Sequence, residues 1–245
     1  MALHLTRALL GALPKGPPTP TAPKPKTPIL LEVERKFRRL TVPTLSNITT
    51  TAAAHTPAFR SVVALPTRQI HDIYYDTAQH ALCSTAGAWI RRRNGTWEVK
   101  VRRGGDFVNS RFQELRGAHA VGECVASVLG RGGGGGAALG EEESGKNNFG
   151  LEVMAEFVTT REAWLVDGEF SVVRDRMDFG HEVGEVELQG ELAADRAGMA
   201  AAVMEEMDAR IEGFMKRYGW AWEEGEAVGK LTAYFDMVKA REGRK

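Results

Sequence analysis

Ile29-Leu30-Leu31-Glu32-Val33-Glu34-Arg35-Lys36-Phe37-Arg38-Arg39-Leu40 is the stretch that decides how this 245-residue chain folds. Leu31, Val33 and Phe37 alternate with Glu32, Glu34 and Lys36, and a period of two means a β-strand with its charges gathered on one face. The same spacing recurs downstream. Arg91/Arg93, Glu98/Lys100/Arg102 and Glu185/Glu187 each put charges two apart, while Val99/Val101 and Val186/Leu188 occupy the opposite faces. Two arrangements satisfy this pattern: an open sheet with one charged face in solvent, or a closed ring with the charges turned into a wet lumen. Strand parity does not say which face is inside. The second arrangement needs an occupant, because a buried charge without a partner costs several kcal/mol. A polyphosphate with its metal ions would supply one.

Further strand-like runs lie at Ser61–Tyr75, Ala88–Arg93, Thr96–Arg103, Arg111–Leu115, Met154–Val166, Glu169–Met177 and His181–Gln189. Asn94-Gly95 between two of them is a hairpin signal, since both residues tolerate the positive φ of a tight turn. Thr41–Phe59 has room for one helix between loops. Two helices close the chain. Met199, Val203, Met207, Ile211, Phe214 and Tyr218 form an apolar stripe over Asp195–Tyr218, and Leu231, Tyr234, Phe235 and Val238 do the same over Gly229–Arg241. The fold class expected is one antiparallel α+β domain, about eight strands with helices outside. It spans residues 29–245 and carries a flexible glycine-rich loop at 131–146. Residues 1–28 stand apart. Seven of them are proline, and no acid offsets the four cations before Glu32, so this segment is expected to be a disordered extension or a transit peptide.

Composition bounds the function. Lys+Arg 32 balance Asp+Glu 32, which excludes a nucleic-acid binder working by bulk charge. Two cysteines, Cys83 and Cys124, exclude a disulfide scaffold and fit a reducing compartment. The expected location is therefore cytoplasmic, or mitochondrial if residues 1–28 direct it there. Zero net charge hides a separation: Arg91–Arg103 holds six cations and one acid, whereas acids outnumber bases fourteen to four over Glu141–Glu191. Carboxylates are the hard ligands that Mg²⁺ and Mn²⁺ prefer, and arginine and lysine clamp phosphate oxygens. Together they have the chemistry of metal-dependent phosphoryl transfer. No competing template is present: the chain has no GxxxxGK[ST], no GxSxG and no HExxH, and its six histidines lack metal-ligand spacing.

Glu32-Val33-Glu34-Arg35-Lys36 is an ExExK motif. It is followed in order by Tyr74-Tyr75-Asp76-Thr77, Trp89-Ile90-Arg91-Arg92-Arg93, Trp97-Glu98-Val99-Lys100, Glu114-Leu115 and Phe157–Trp164, and then by Asp178-Phe179-Gly180, Gly184-Glu185-Val186-Glu187 and Gly229-Lys230-Leu231. From about Leu31 to Tyr234 this resembles the CYTH superfamily, the triphosphate tunnel metalloenzymes, in its thiamine triphosphatase branch. The resemblance implies an eight-stranded antiparallel β-barrel tunnel with peripheral helices. Lys36, Arg91, Arg93, Lys100, Arg161 and Lys230 would grip phosphates, with Tyr75 and Trp89 beside the organic group. Glu32, Glu34, Asp175, Glu185 and Glu187 would hold Mg²⁺, or Mn²⁺ in its place. Glu32, Glu34, Lys36 and Glu114 would serve the attack of water. The implied activity is hydrolysis of thiamine triphosphate to the diphosphate and phosphate by a monomer, with no nucleic-acid or membrane partner. Inorganic, nucleotide or RNA 5′-triphosphatase and adenylyl cyclase are the alternatives on the same tunnel. A non-catalytic polyphosphate-binding module needs mainly the cations, so the two acidic clusters, Glu32/Glu34 and Glu185/Glu187, speak against it.

Overall fold

A computed structural model describes residues 28–45, 57–130, 147–223 and 225–243. The eight strands are β1 (Ile29–Phe37), β2 (Val62–Asp76), β3 (Ala88–Arg93), β4 (Thr96–Gly105), β5 (Asn109–Arg116), β6 (Glu152–Val166), β7 (Phe170–Met177) and β8 (Glu182–Leu192). All neighbours are antiparallel, and the ring closes in the order β1-β5-β4-β3-β2-β6-β7-β8. Closure removes both sheet edges. It also resolves the parity left open by the sequence: the charged faces point inward and the apolar faces outward.

Tight turns set the registers. Asn94 and Gly95 (φ 47° and 85°) and Asp167 and Gly168 (φ 54° and 82°) have positive φ at both central positions, the geometry that matches the twist of a two-residue hairpin. In β2 the pairing with β6 shifts between Leu65 and Arg68, where Pro66 has no N–H to donate to the ladder.

Helices cover the outside of the ring. Helix α1 (Ala81–Ser84) and helix α2 (Ala118–Val128) lie between strands; α3 (Ala200–Arg217) and α4 (Lys230–Glu242) follow the barrel. Met204, Met207, Ile211 and Phe214 of α3 are buried against Leu31, Val33, Val172, Val186 and Leu188 on the outer faces of β1, β7 and β8. Each such side chain contributes about 1.5–3 kcal/mol by leaving water. Val121 and Val125 of α2 join Ile90, Val99, Trp97 and Tyr75 in a second cluster. A third gathers Tyr74, Phe157 and Met177 with Leu231 and Tyr234 of α4. No helix among the described residues is long and apolar enough to cross a membrane.

Every expected strand is present, with ends shifted by a few residues. Met199 does not join the α3 stripe: it ends a 3-10 segment and is 51% exposed. Helices α1 and α2 are additions that periodicity misses. The first is a single turn, organised by Asp76, whose carboxylate accepts the N–H groups of Leu82 and Cys83 at 2.9 Å. The second buries only two apolar residues. The helix expected within Thr41–Phe59, the loop 131–146 and all but Pro28 of the N-terminal extension lie outside the described residues.

One packing contact yields a stability prediction. A Cβ built on Gly184 of β8 would stand 2.0 Å from the ring of Phe37, which is itself held against Trp222, whereas one on Gly190 would meet nothing within 4 Å. Gly184→Ala is expected to cost about 1–3 kcal/mol through overpacking, lowering the Tm by roughly 2–12 °C for a domain of this size. Gly190→Ala should change the Tm little, and Phe37→Leu should recover part of the loss in a double-mutant cycle. A Gly184→Ala protein that melts with wild type would show that Phe37 has room to move.

Candidate active site

The inward faces surround a cavity of about 210 Å³, room for several waters or a small polyanion. Among the described residues its wall carries eight cationic and six acidic side chains, so the occupant it favours is anionic. Cross-strand register explains how so many charges share one interior. Lys36 stands opposite Glu185, Asp72 opposite Arg93, Arg91 opposite Glu98, Lys100 opposite Glu114, and Arg161 opposite Asp175. Opposite charges facing each other across a ladder stabilise it. Two like-charged pairs break the pattern: Glu34 faces Glu187, and Arg161 also faces Arg68.

Side-chain geometry follows the register. Arg91 grips one oxygen of Glu98 with Nε at 2.9 Å and Nη2 at 2.8 Å. Arg93 forks onto both oxygens of Asp72 at 2.7 Å. The Lys100 ammonium lies 2.7 Å from Glu32, 3.1 Å from Glu34 and 3.7 Å from Glu114. Burial works against the charge on Lys100, but Glu32 and Glu34 outweigh it and hold the ammonium well above its ordinary pKa. Lys36 donates to Glu34 and lies 3.8 Å from Glu185. Arg161 reaches Asp175, Glu185 and Glu187, and Lys230, from the first turn of α4, reaches Asp175 and Glu185. Burial opposes the charge on Glu185, yet Lys230, Lys36 and Arg161 hold its carboxyl well below the usual range.

Negative charge is left in excess at one place. Burial raises Glu32, with Lys100 opposing and Glu114 adding to the rise. Burial pushes Glu187 up to about 8; Arg161 opposes, and the carboxylates of Glu32 and Glu185 reinforce the rise. Glu32 Oε2 is buried without an aligned hydrogen bond despite the nearby Lys100. Two neighbouring carboxyls whose pKa values burial and adjacent carboxylates raise fit a hard divalent cation. Another group, Asp76, His80 and Cys83, has ligand atoms within 4.8 Å of one another but lies off the cavity wall. Its Asp76 oxygens are taken up by backbone N–H groups, and burial with Asp76 lifts the Cys83 thiol to about 12, which disfavours a thiolate ligand.

Of the residues expected from the sequence, Glu32, Glu34, Lys36, Trp89, Arg91, Arg93, Lys100, Glu114, Arg161, Glu185, Glu187 and Lys230 all line the cavity. Two need correction. Tyr75 points outward into the second apolar cluster, 4.9 Å from the Trp97 ring, and its neighbour Tyr74 takes the wall position, because successive strand side chains face opposite sides. Asp175 does not line the cavity. Its two oxygens are held by Arg161 at 2.8 and 2.7 Å and by Lys230 at 2.5 Å, so it positions those cations rather than offering itself as a ligand. Asp178, three residues on, accepts the Val158 N–H instead. Sequence reading missed Asp72, which only its cross-strand partner Arg93 reveals. It also left Glu98 and Arg102 out of the site, although both share the strand face of Lys100.

Comparison with known proteins agrees with this architecture. The thiamine-triphosphatase of Macaca fascicularis is 31% identical over 143 residues, 54% of this chain and 59% of that protein. The Homo sapiens thiamine-triphosphatase is 33% identical over 127 residues, 47% of this chain and 54% of that one. The matches thus span little more than half of these relatives. Among solved structures, the PH1819 protein of Pyrococcus horikoshii OT3 aligns with a TM-score of 0.48 at 14% identity, over 84% of this chain and 99% of that one, too distant to bear on function. Residues 30–210, nearly the whole ring and most of α3, match the CYTH domain family, and the chain belongs to that family.

Proposed function

We propose that the protein hydrolyses the terminal phosphate of a linear triphosphate held in the tunnel, with thiamine triphosphate as substrate and Mg²⁺, or Mn²⁺ in its place, as the metal. The observation that carries the reading is the self-neutralised lumen. Cations and carboxylates that hold one another in pairs can exchange those partners for a ligand of both signs, a polyphosphate and its metal. Lys36, Arg91, Arg93, Lys100, Arg161 and Lys230 would bind phosphate oxygens, the arginines through their forked N–H groups. Glu32, Glu34, Glu185 and Glu187 would hold the metal, which when bound neutralises phosphate charge and polarises the terminal phosphoryl group. Glu114, near Lys100 on the facing strand, would help align the attacking water. Asp175 keeps Arg161 and Lys230 aimed inward, so the cationic wall is preorganised before substrate arrives. The thiamine assignment rests on the two named relatives and on Trp89, whose indole on the cavity wall suits a cationic ring.

Phosphate release from a panel of triphosphates, with Mg²⁺, Mn²⁺ or chelator, tests the reading directly. Glu32→Gln and Glu187→Gln keep the side-chain size and remove the charge a divalent cation needs; each should lower turnover by at least about 100-fold while the protein stays folded by circular dichroism. Near-wild-type release from both would end the metal-site assignment. Trp89→Ala should lower kcat/KM for thiamine triphosphate relative to inorganic triphosphate by about three- to thirtyfold, the equivalent of roughly 0.5–2 kcal/mol. An unchanged ratio would take thiamine off the list of substrates that Trp89 selects.

A pH dependence follows from Glu187. With its carboxyl raised to about 8, the metal-free folded state binds a proton that the unfolded chain, near 4.3, has released. That stabilisation is complete below the unfolded value and is lost as pH rises through about 8. The Tm of metal-free wild type should therefore fall between about pH 5 and 8 more steeply than that of Glu187→Gln. Mg²⁺ should raise the wild-type Tm more at pH 8 than at pH 6. Identical slopes in the two proteins would mean that Glu187 is ionised throughout.

A further inference from the structure

Among the described residues, Arg102 is the arginine of the cavity wall that forms no ion pair with a carboxylate. The others there, Arg91, Arg93, Arg116 and Arg161, each contact an acid. Arg102 instead lies between two aromatic rings, its guanidinium carbon 4.8 Å from the centroid of Trp89 and 4.6 Å from that of Phe107. Its Nε is buried and finds no hydrogen-bond partner among the described residues. Phe107 is 73% exposed, an unusual position for a phenyl ring with no partner of its own size. It sits on the β4–β5 turn, which Asp106 ties down by accepting the N–H groups of Val108 and Asn109 at 2.7 Å. Trp89 is braced on its edge by Phe112, ring centroids 5.7 Å apart and planes at 87°. A braced indole and an exposed phenyl ring with a flat cation between them make a slot whose chemistry suits a planar, positively charged group.

We propose that the slot between Trp89 and Phe107 is the seat for a planar cationic ring on the substrate's organic end, and that Arg102 fills it as an internal competitor until such a ring displaces it. The inference rests on the thiamine reading above for the identity of the ring. It adds Phe107 as a second wall and Arg102 as the residue that sets how strongly a cationic ring is preferred over none. A guanidinium with hydrogen-bonding potential left unused gives up little when it moves into water, which is what a displaceable occupant needs. Inorganic triphosphate has no ring, so it leaves Arg102 in place.

Calorimetric binding of thiamine triphosphate and of inorganic triphosphate to the full chain, in chelator so that no turnover occurs, tests this. Arg102→Ala vacates the slot and should shift the ratio of the two Kd values toward thiamine triphosphate by about three- to tenfold. Phe107→Ala removes a wall and should shift it the other way by a similar factor. Arg102→Lys, which keeps a cation but loses the flat plane, should behave more like Arg102→Ala than like wild type. Should Arg102→Ala weaken both ligands equally, Arg102 belongs to the phosphate grip and the proposal falls. It falls equally if Phe107→Ala leaves the ratio unchanged. Because binding is read without hydrolysis, an inactive protein would count against the triphosphatase reading and still leave the occupancy of the slot decided by these ratios.

Discussion

Charge pairing inside the ring is the constraint on which the structure depends. Every strand of the ring brings to the interior a charge that burial alone would forbid. The interior is tolerable because the register sets lysine or arginine against glutamate or aspartate at six cross-strand positions, Glu98 facing both Arg91 and Arg116. Slipping any strand by one residue would turn its apolar face into the lumen and its charges under a helix. The same pairing that permits the fold therefore also fixes it. It leaves the interior polar, ready to trade internal partners for external ones.

The imbalance within that network is as informative as the balance. Glu34 facing Glu187 sets two acids against each other in a lattice of mostly opposite charges, as Arg68 facing Arg161 does with two cations. Glu32 lies nearby, and burial, with the carboxylates of Glu32 and Glu185 against the opposing Arg161, lifts Glu187 to about 8. Along the wall, Arg102 makes no ion pair among the described residues and lies between two rings instead.

An apolar exterior completes the inversion of the usual globular plan. Leu31, Val33 and Phe37 on β1 turn outward, and the helices bury what a conventional barrel would keep within. Helix α4 has a second duty. Its Leu231 and Tyr234 pack on Tyr74 and Phe157 at the rim, while Lys230 of the same turn reaches Asp175 and Glu185. One helical turn thus carries an anchor and a cation of the lumen wall together.

The strands, their order of charges and the ExExK motif were legible because a two-residue period and a tight Asn94-Gly95 turn are local properties of the chain. Glu32, Glu34, Lys36, Lys100, Glu185 and Glu187 could be marked for the same reason. Tyr74 and Tyr75 could not be told apart, since adjacent strand residues differ only in which side of a closed sheet they meet. Nor could Asp175 be recognised as the holder of Arg161 and Lys230, because Lys230 lies 55 positions away and meets it only when α4 docks on the ring. Helix α2 escaped notice because two buried valines make no pattern. The sequence by itself determined that charges would gather on one face of each strand. Only the tertiary structure decided that this face is the inside, because inward and outward acquire meaning when β1 pairs with both β5 and β8 and the sheet loses its edges.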